Sequence, residues 1–165
     1  MTTFEELACA RRSIRKYAPD PVRPEDLAAL LRAAQAAPSA CGAQNWLFVV
    51  LQGRKDIEGL ARAVEAGVRR AHREFLPEAE ESYVEGRVRH STFFRSAPLV
   101  LAVYMRPVAY ADARLEAAMR GAGLSYEAEM ERLARPDILG LGAAIENLLL
   151  CAQDLGYGGC WMNAP

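Results

Sequence analysis

A chain of 165 residues is long enough for one domain with a sizeable core, burying about 70% of the surface its unfolded form exposes. Hydrophobic residues make up 52% and charged residues 25%, which excludes a disordered or fibrous chain. The formal net charge of -1 gives no general attraction to nucleic acid, so any basic site has to be local.

No apolar run approaches the roughly 20 residues that cross a bilayer, and MTTFEELACARR lacks the apolar centre of a signal peptide. The expectation is a single domain over residues 1–165, cytoplasmic, with neither membrane nor nucleic acid as partner. Cys9, Cys41, Cys151 and Cys160 form no CxxC pair, so reduced thiols are expected. His72 and His90 stand at no ligand-like spacing, and no metal site is expected.

Thr3 followed by Glu6 reads as a capping box, opening a helix that frays near Arg11 and Arg12. A second helix starts near Pro24 and stops before Pro38, with Leu27, Leu30, Leu31 and Ala34 as its buried stripe. WLFVVLQ, residues 46–52, is short, apolar and β-branched, and predicts a buried strand. Residues 54–95 are charged and helical by composition, with a break near Pro77, and PLVLAVYM at 98–105 is a second strand. Residues 110–135 read as helix weakened by Gly121 and Gly123. Both charged segments, within 54–95 and 106–137, read as solvated helices, with a helical lid as the alternative.

Asp137 is placed to cap a long helix over 138–155 that ends at Gly156. That helix is apolar almost all round, and Gly140, Gly142, Ala143 and Ala144 would let another backbone come close. A last strand is predicted at about 158–163. Helices outnumber strands, giving a layered α+β fold.

Three segments are candidates for chemistry. Arg11, Arg12, Ser13, Arg15 and Lys16 cluster where a helix gives way to extended chain. Guanidinium forks there suit a phosphate or a polyol, although cations at a helix C-terminus are also favoured by the dipole alone. PSACGAQNW, from Pro38 to Trp46, either presents backbone, Ser39 and Gln44 to a flat ligand or simply connects helix to strand. GYGGCWMN, from Gly156 to Asn163, sets glycines where a backbone bends or comes close to something. Gly140-Leu141-Gly142-Ala143-Ala144-Ile145 lacks the strand and the acidic residue of a dinucleotide fingerprint. No Ser-His-Asp set, carboxylate-pair motif or P-loop is present, which fits a protein whose reactive atom belongs to a cofactor.

ARRSIRKY, APSACGAQNWLFVV, SAPLVLAVY and GAAIENLLLCAQDLGYGGCWMN stand in the order and approximate spacing of the nitroreductase (flavin reductase) family, which the chain resembles over nearly its whole length. The resemblance implies a nitroreductase-like α+β fold, with a central, mostly antiparallel sheet flanked by helices. It also implies an intertwined homodimer with two FMN sites, each lined by both subunits. Arg11, Arg12, Ser13 and Arg15 match the positions that hold the phosphate, ribityl chain and pyrimidine edge. Pro38, Ser39, Ala40, Gly42 and Gln44 match a loop that approaches the flavin from the partner subunit. Trp161, Met162, Asn163 and Ala164 match the strand whose backbone passes flavin N5, and the 138–155 helix matches the central dimer helix.

The implied activity is FMN-dependent hydride transfer from NADH or NADPH to a small oxidant such as a nitroaromatic, quinone or flavin, in ping-pong order. Flavin N5 would be the reactive atom, with no side chain acting as acid or base. Alternatives on the same resemblance are a flavin storage or sensing protein with little turnover, a dehalogenase, or a flavin-degrading enzyme. Gly42 stands where many relatives carry Asn, Ala40 where many carry Ser, and Cys41 is unusual in that loop. The sequence ends at Pro165, where relatives continue by a few tens of residues into a tail that wraps the partner.

Overall fold

The structure, a computed structural model, describes residues 3–107 and 112–163. Ala164 and Tyr110 therefore lie outside the described residues. Within them the chain forms α1 (Phe4–Ala10), α2 (Pro24–Gln35), β1 (Trp46–Leu51), α3 (Arg54–Phe75), α4 (Glu81–Ser91), β2 (Val100–Met105), α5 (Ala113–Gly121), α6 (Tyr126–Arg132) and α7 (Pro136–Asp154). β1 and β2 pair as a small antiparallel sheet. The chain divides into two compact units, one of Met1–Arg11, Pro24–Val49 and Val103–Tyr157, the other of Arg12–Arg23, Val50–Ala102 and Gly158–Pro165.

In the first unit α2 packs along α7. Leu30 and Ala34 are buried on α2, and Gly140, Ala144, Leu148, Leu149 and Ala152 on α7. Leu27 and Leu31 are half-buried rather than core, and Asp26 takes the buried place on that face. Its carboxylate accepts the Tyr157 hydroxyl proton at 2.6 Å, which satisfies a charge that would otherwise be costly inside. Asn147 Nδ2 donates to the Ala33 carbonyl at 3.2 Å, another tie between α2 and α7.

Local signals govern the helix ends. The Thr3–Glu6 capping box forms in full. Gly156, at φ +83°, closes α7 with paired bonds, Gly156 N–H to Gln153 O at 3.1 Å and Tyr157 N–H to Ala152 O at 2.8 Å. The weakened 110–135 segment is broken into α5 and α6, with Gly123 at φ +77° in the gap. Gly140 does bring a backbone close: a Cβ there would stand 3.2 Å from Ser39 Cα and 3.3 Å from the Pro38 carbonyl oxygen.

Three expectations need correction. Asp137 is not the cap of α7. The helix starts two residues earlier than expected, at Pro136, after Arg135 in the left-handed region. Asp137 sits fully buried in the first turn, gripped by Arg135 Nε at 3.1 Å and Nη2 at 2.9 Å. β1 is not a buried strand, since Leu47, Val49 and Val50 are exposed in this chain. Strand composition predicts half-burial only where a layer covers the face, and a two-stranded sheet leaves much of its surface open. The last strand shrinks to one parallel bridge, Ser13 with Gly159.

The second unit has its own core. Ile57, Ala61, Val64 and Val68, spaced four, three and four apart, make one stripe of α3 and pack with Val88 and Phe94. Burying each of the larger aliphatic side chains contributes about 1.5–3 kcal/mol. Arg69 ties α3 to α4 by pairing with Glu65, Glu81 and Glu85, and Arg95 pairs with Glu58 and Glu65. The Arg95 and then the Arg69 hydrogen bonds hold the Glu65 carboxyl below its ordinary value of 4.5.

Candidate functional site

Two of the three candidate segments meet in the second unit. Ser13 bridges Gly159, and the Ile14 N–H donates to the Gly159 carbonyl at 2.9 Å. Glycine at 158 is what permits this approach, because a Cβ there would lie 2.8–3.0 Å from Ile14 side-chain atoms. The pairing sets Arg15 on the same cleft as Cys160, Trp161, Met162 and Asn163.

That cleft holds about 280 Å³ and is completed by residues of α3, α4 and the turn after α4, among them Val68, His72, Arg87, His90 and Phe93. This volume is near the lower end of ordinary ligand pockets, roughly 300–1,000 Å³. Its floor is aromatic and apolar. Phe93 stacks on Tyr17 with ring centroids 6.3 Å apart and carries the Arg15 guanidinium 5.8 Å over its face. A cation over a ring at an exposed site contributes about 0.5–1 kcal/mol, enough to bias the Arg15 side chain toward the cleft wall. Trp161 is pinned by donation from Nε1 to Asn163 Oδ1 at 2.9 Å. Burial pushes the Tyr17 phenol up from 10.0 to about 12, aided by Cys160 and opposed by Arg15, so Tyr17 stays a neutral donor over the physiological range.

Arg11 and Arg12 part company. Arg11 caps α1 and pairs through Nε with Glu146 at 3.1 Å, whereas Arg12 is exposed. The third segment lies in the first unit. Ser39 precedes a short 3-10 turn, Ala40–Gly42, and Ser39 Oγ accepts the Gln44 N–H at 2.9 Å. The Gln44 side chain turns back to donate to the Gln35 carbonyl at 2.8 Å. Pro38 packs its carbonyl on Gly140, and Cys41 is exposed. Cys41 (φ 53°) and Gln44 (φ 42°) hold left-handed conformations beside Gly42 at φ 66°. Each such non-glycine residue costs about 1–2 kcal/mol, so the loop's shape is held by its bonds rather than by preference.

His72, Arg87, His90 and Phe93 belong to none of the three candidate segments, yet they line the cleft. The two histidines carry no ligand spacing, and their helices read as solvated. A signal was present: Arg87 and His90 are three apart, on one face of a helix. Their meeting with Arg15 joins chain separated by more than fifty residues, which no local pattern reports.

The antiparallel pair flanked by helices is the nitroreductase-like α+β arrangement. The sequence profile of the Nitroreductase family matches residues 8–165, and the chain belongs to that family. A protein of Archaeoglobus fulgidus, provisionally named an NADH dehydrogenase/NAD(P)H nitroreductase, is 29% identical over 153 residues, 93% of this chain. The chain spans 63% of the length of that curated relative. Among solved structures, a BluB-like flavoprotein from Clostridium difficile 630 aligns at TM-score 0.77 with 27% identity, over 98% of this chain and 74% of the other. A nitroreductase with bound FMN from Bacteroides fragilis aligns at TM-score 0.64 with 24% identity, over 96% and 68%, a likeness of fold. Among the described residues no helix is long and apolar enough to cross a membrane.

Proposed function

We propose that this chain is an FMN-dependent NAD(P)H oxidoreductase working as a homodimer, with the cleft at Arg15 and residues 161–163 receiving the flavin ring. The observation that supports this most is the Ser13–Gly159 pairing, which joins two family motifs at one aromatic-floored cleft. The residues fit the group. A flavin is flat, and Phe93, Trp161 and Met162 offer flat or apolar surface. Its pyrimidine edge is rich in acceptors, and Arg15 and Asn163 offer donors. A cleft of about 280 Å³ suits part of such a ligand, with the 38–44 loop of a second subunit supplying the rest.

Bound FMN supplies the reversible two-electron chemistry between NADH or NADPH and a small oxidant such as a nitroaromatic, quinone or flavin. The chain positions and tunes. Arg15 would hold the pyrimidine edge and stabilise negative charge there by a charge-assisted hydrogen bond worth roughly 1.5–3 kcal/mol. Arg12 and Ser13 would serve the phosphate and ribityl chain; the resemblance gives Arg11 the same role, and within the first unit its Nε pairs with Glu146. The backbone at Met162 and Asn163 would hold the reacting edge, a role the resemblance also gives Ala164. In the partner's loop Pro38, Ser39, Ala40, Gly42 and Gln44 contribute backbone surface, since Ser39 and Gln44 side chains are bonded within their own unit. Reductant and oxidant use the open face in turn, a ping-pong order that needs positioning rather than an acid or base.

The test is a titration of dialysed protein with FMN, followed by quenching of flavin fluorescence and by sedimentation. Saturation at one FMN per chain in a dimer is expected. A chain that takes up no FMN overturns the reading.

A further inference from the structure

The cleft has a second character beyond its aromatic floor. Of the residues lining it, Arg15, His72, Arg87 and His90 are cationic or become so on protonation, and none is acidic. This is unexpected in a chain of net charge -1 whose α3 and α4 are rich in glutamate. The reason lies in how those glutamates are used. Arg69 takes Glu65, Glu81 and Glu85, and Arg95 takes Glu58 and shares Glu65. Arg87, two residues beyond Glu85, is exposed and has no carboxylate partner among the described residues, and neither has His90. His72 and His90 lie in the last turns of α3 and α4. His72 Nδ1 donates to the Val68 carbonyl at 2.8 Å, so Nε2 is the nitrogen left for a ligand and donates to an anion in the imidazolium form. Phe93, Trp161 and Met162 line the same cleft.

We propose that His72, Arg87 and His90 form an anion-receiving wall that selects a flat co-substrate carrying an acidic group, a carboxylate or a phosphate. The proposal rests on the reading that the flavin ring occupies the Arg15 side of this cleft, and it narrows the oxidoreductase's broad substrate class to acidic molecules. Two sources carry such a group: the oxidant itself, or the extra phosphate that distinguishes NADPH from NADH.

With only two histidines in the chain, their ring resonances are a direct reporter. FMN-loaded protein is titrated with 4-nitrobenzoate and its neutral counterpart 4-nitrobenzamide, and separately with NADP⁺ and NAD⁺. Saturable shifts of both histidines are expected, with the acidic member of one pair binding at least about tenfold more tightly, as a charge-assisted contact requires. Preference in the first pair assigns the wall to the oxidant, and preference in the second assigns it to the reductant. Arg87→Ala should remove the preference while FMN retention stays within about twofold. Equal binding of 4-nitrobenzoate and 4-nitrobenzamide, together with equal binding of NADP⁺ and NAD⁺, overturns the proposal. So does displacement of the acids by FMN itself, which would make the wall part of the flavin phosphate site and leave the flavin reading standing. If the chain takes up no FMN yet both histidines still answer to 4-nitrobenzoate, the flavin reading fails and the anion wall stands.

Discussion

Gly158→Ala attacks the one approach on which the cleft depends. A Cβ at 158 would stand 2.8 Å from Ile14 Cγ1, 2.9 Å from Ile14 Cβ and 3.0 Å from Ile14 Cγ2. Rotation about χ1 moves the two γ carbons but not Cβ, which the backbone fixes, so the clash is relieved only by separating the two segments. Gly158 is outside the left-handed region, so alanine carries no backbone penalty there and the effect is contact alone. Overpacking of this kind costs about 1–3 kcal/mol. With a urea m-value of about 2 kcal/mol/M, the unfolding midpoint falls by roughly 0.5–1.5 M. Separation also lengthens the 2.9 Å bond from Ile14 N–H to Gly159 O and moves residues 161–163 away from Arg15, so FMN affinity falls with stability. Adding Ile14→Gly removes all three contacts, so Ile14→Gly should cost less in the Gly158→Ala background than in the parent. In the parent it loses the burial of a side chain only 38% exposed and roughly 0.5–1 kcal/mol for glycine in extended chain. The double-mutant cycle should give a coupling of at least about 1 kcal/mol. A Gly158→Ala protein with unchanged midpoint and FMN affinity would refute the reasoning, as would a loss that Ile14→Gly leaves untouched.

Arg15→Ala should weaken FMN retention by roughly 10- to 150-fold, the loss of one charge-assisted bond, with little change in the urea midpoint; flavin content unchanged after dialysis would reduce Arg15 to a surface cation. Two helix glycines should behave oppositely in urea melts. Gly59→Ala in α3, with nothing within 4 Å of its Cβ, should gain about 0.8–1 kcal/mol of helix propensity, whereas Gly140→Ala meets the Pro38–Ser39 backbone at 3.2–3.3 Å and should show no gain or a net loss. Tyr17 gives a pH signature: its folded pKa is raised from 10.0 to about 12, so its contribution is full below pH 10 and is lost as pH rises toward 12. Stability of the parent should decline over that window more steeply than that of Tyr17→Phe, and a tyrosinate absorbance titration should show a late step that Tyr17→Phe lacks.

Features set within a turn of helix were legible in the sequence. The Thr3 capping box, the Gly156 stop of α7 and the break around Gly123 each depend on a few neighbouring residues whose chemistry is local. The start of α7 is not legible from Asp137, an acidic residue before an apolar run. Pro136 starts the helix, and Asp137 is held by Arg135 instead. Burial of β1 was not legible, since it depends on what covers Leu47, Val49 and Val50. The site divides in the same way. Arg15 and residues 161–163 came from motifs, whereas His72, Arg87, His90 and Phe93 join them only through tertiary packing of α3 and α4.

The central claim is that a flavin bound by this chain exchanges electrons with a nicotinamide. The most direct measurement is an anaerobic titration of FMN-loaded protein with NADH and with NADPH, followed by visible absorbance. One equivalent of at least one nicotinamide should bleach the flavin, and a nitroaromatic or quinone added afterwards should restore the colour. Bound FMN that stays yellow with both nicotinamides would contradict the account and leave a protein that holds flavin without using it.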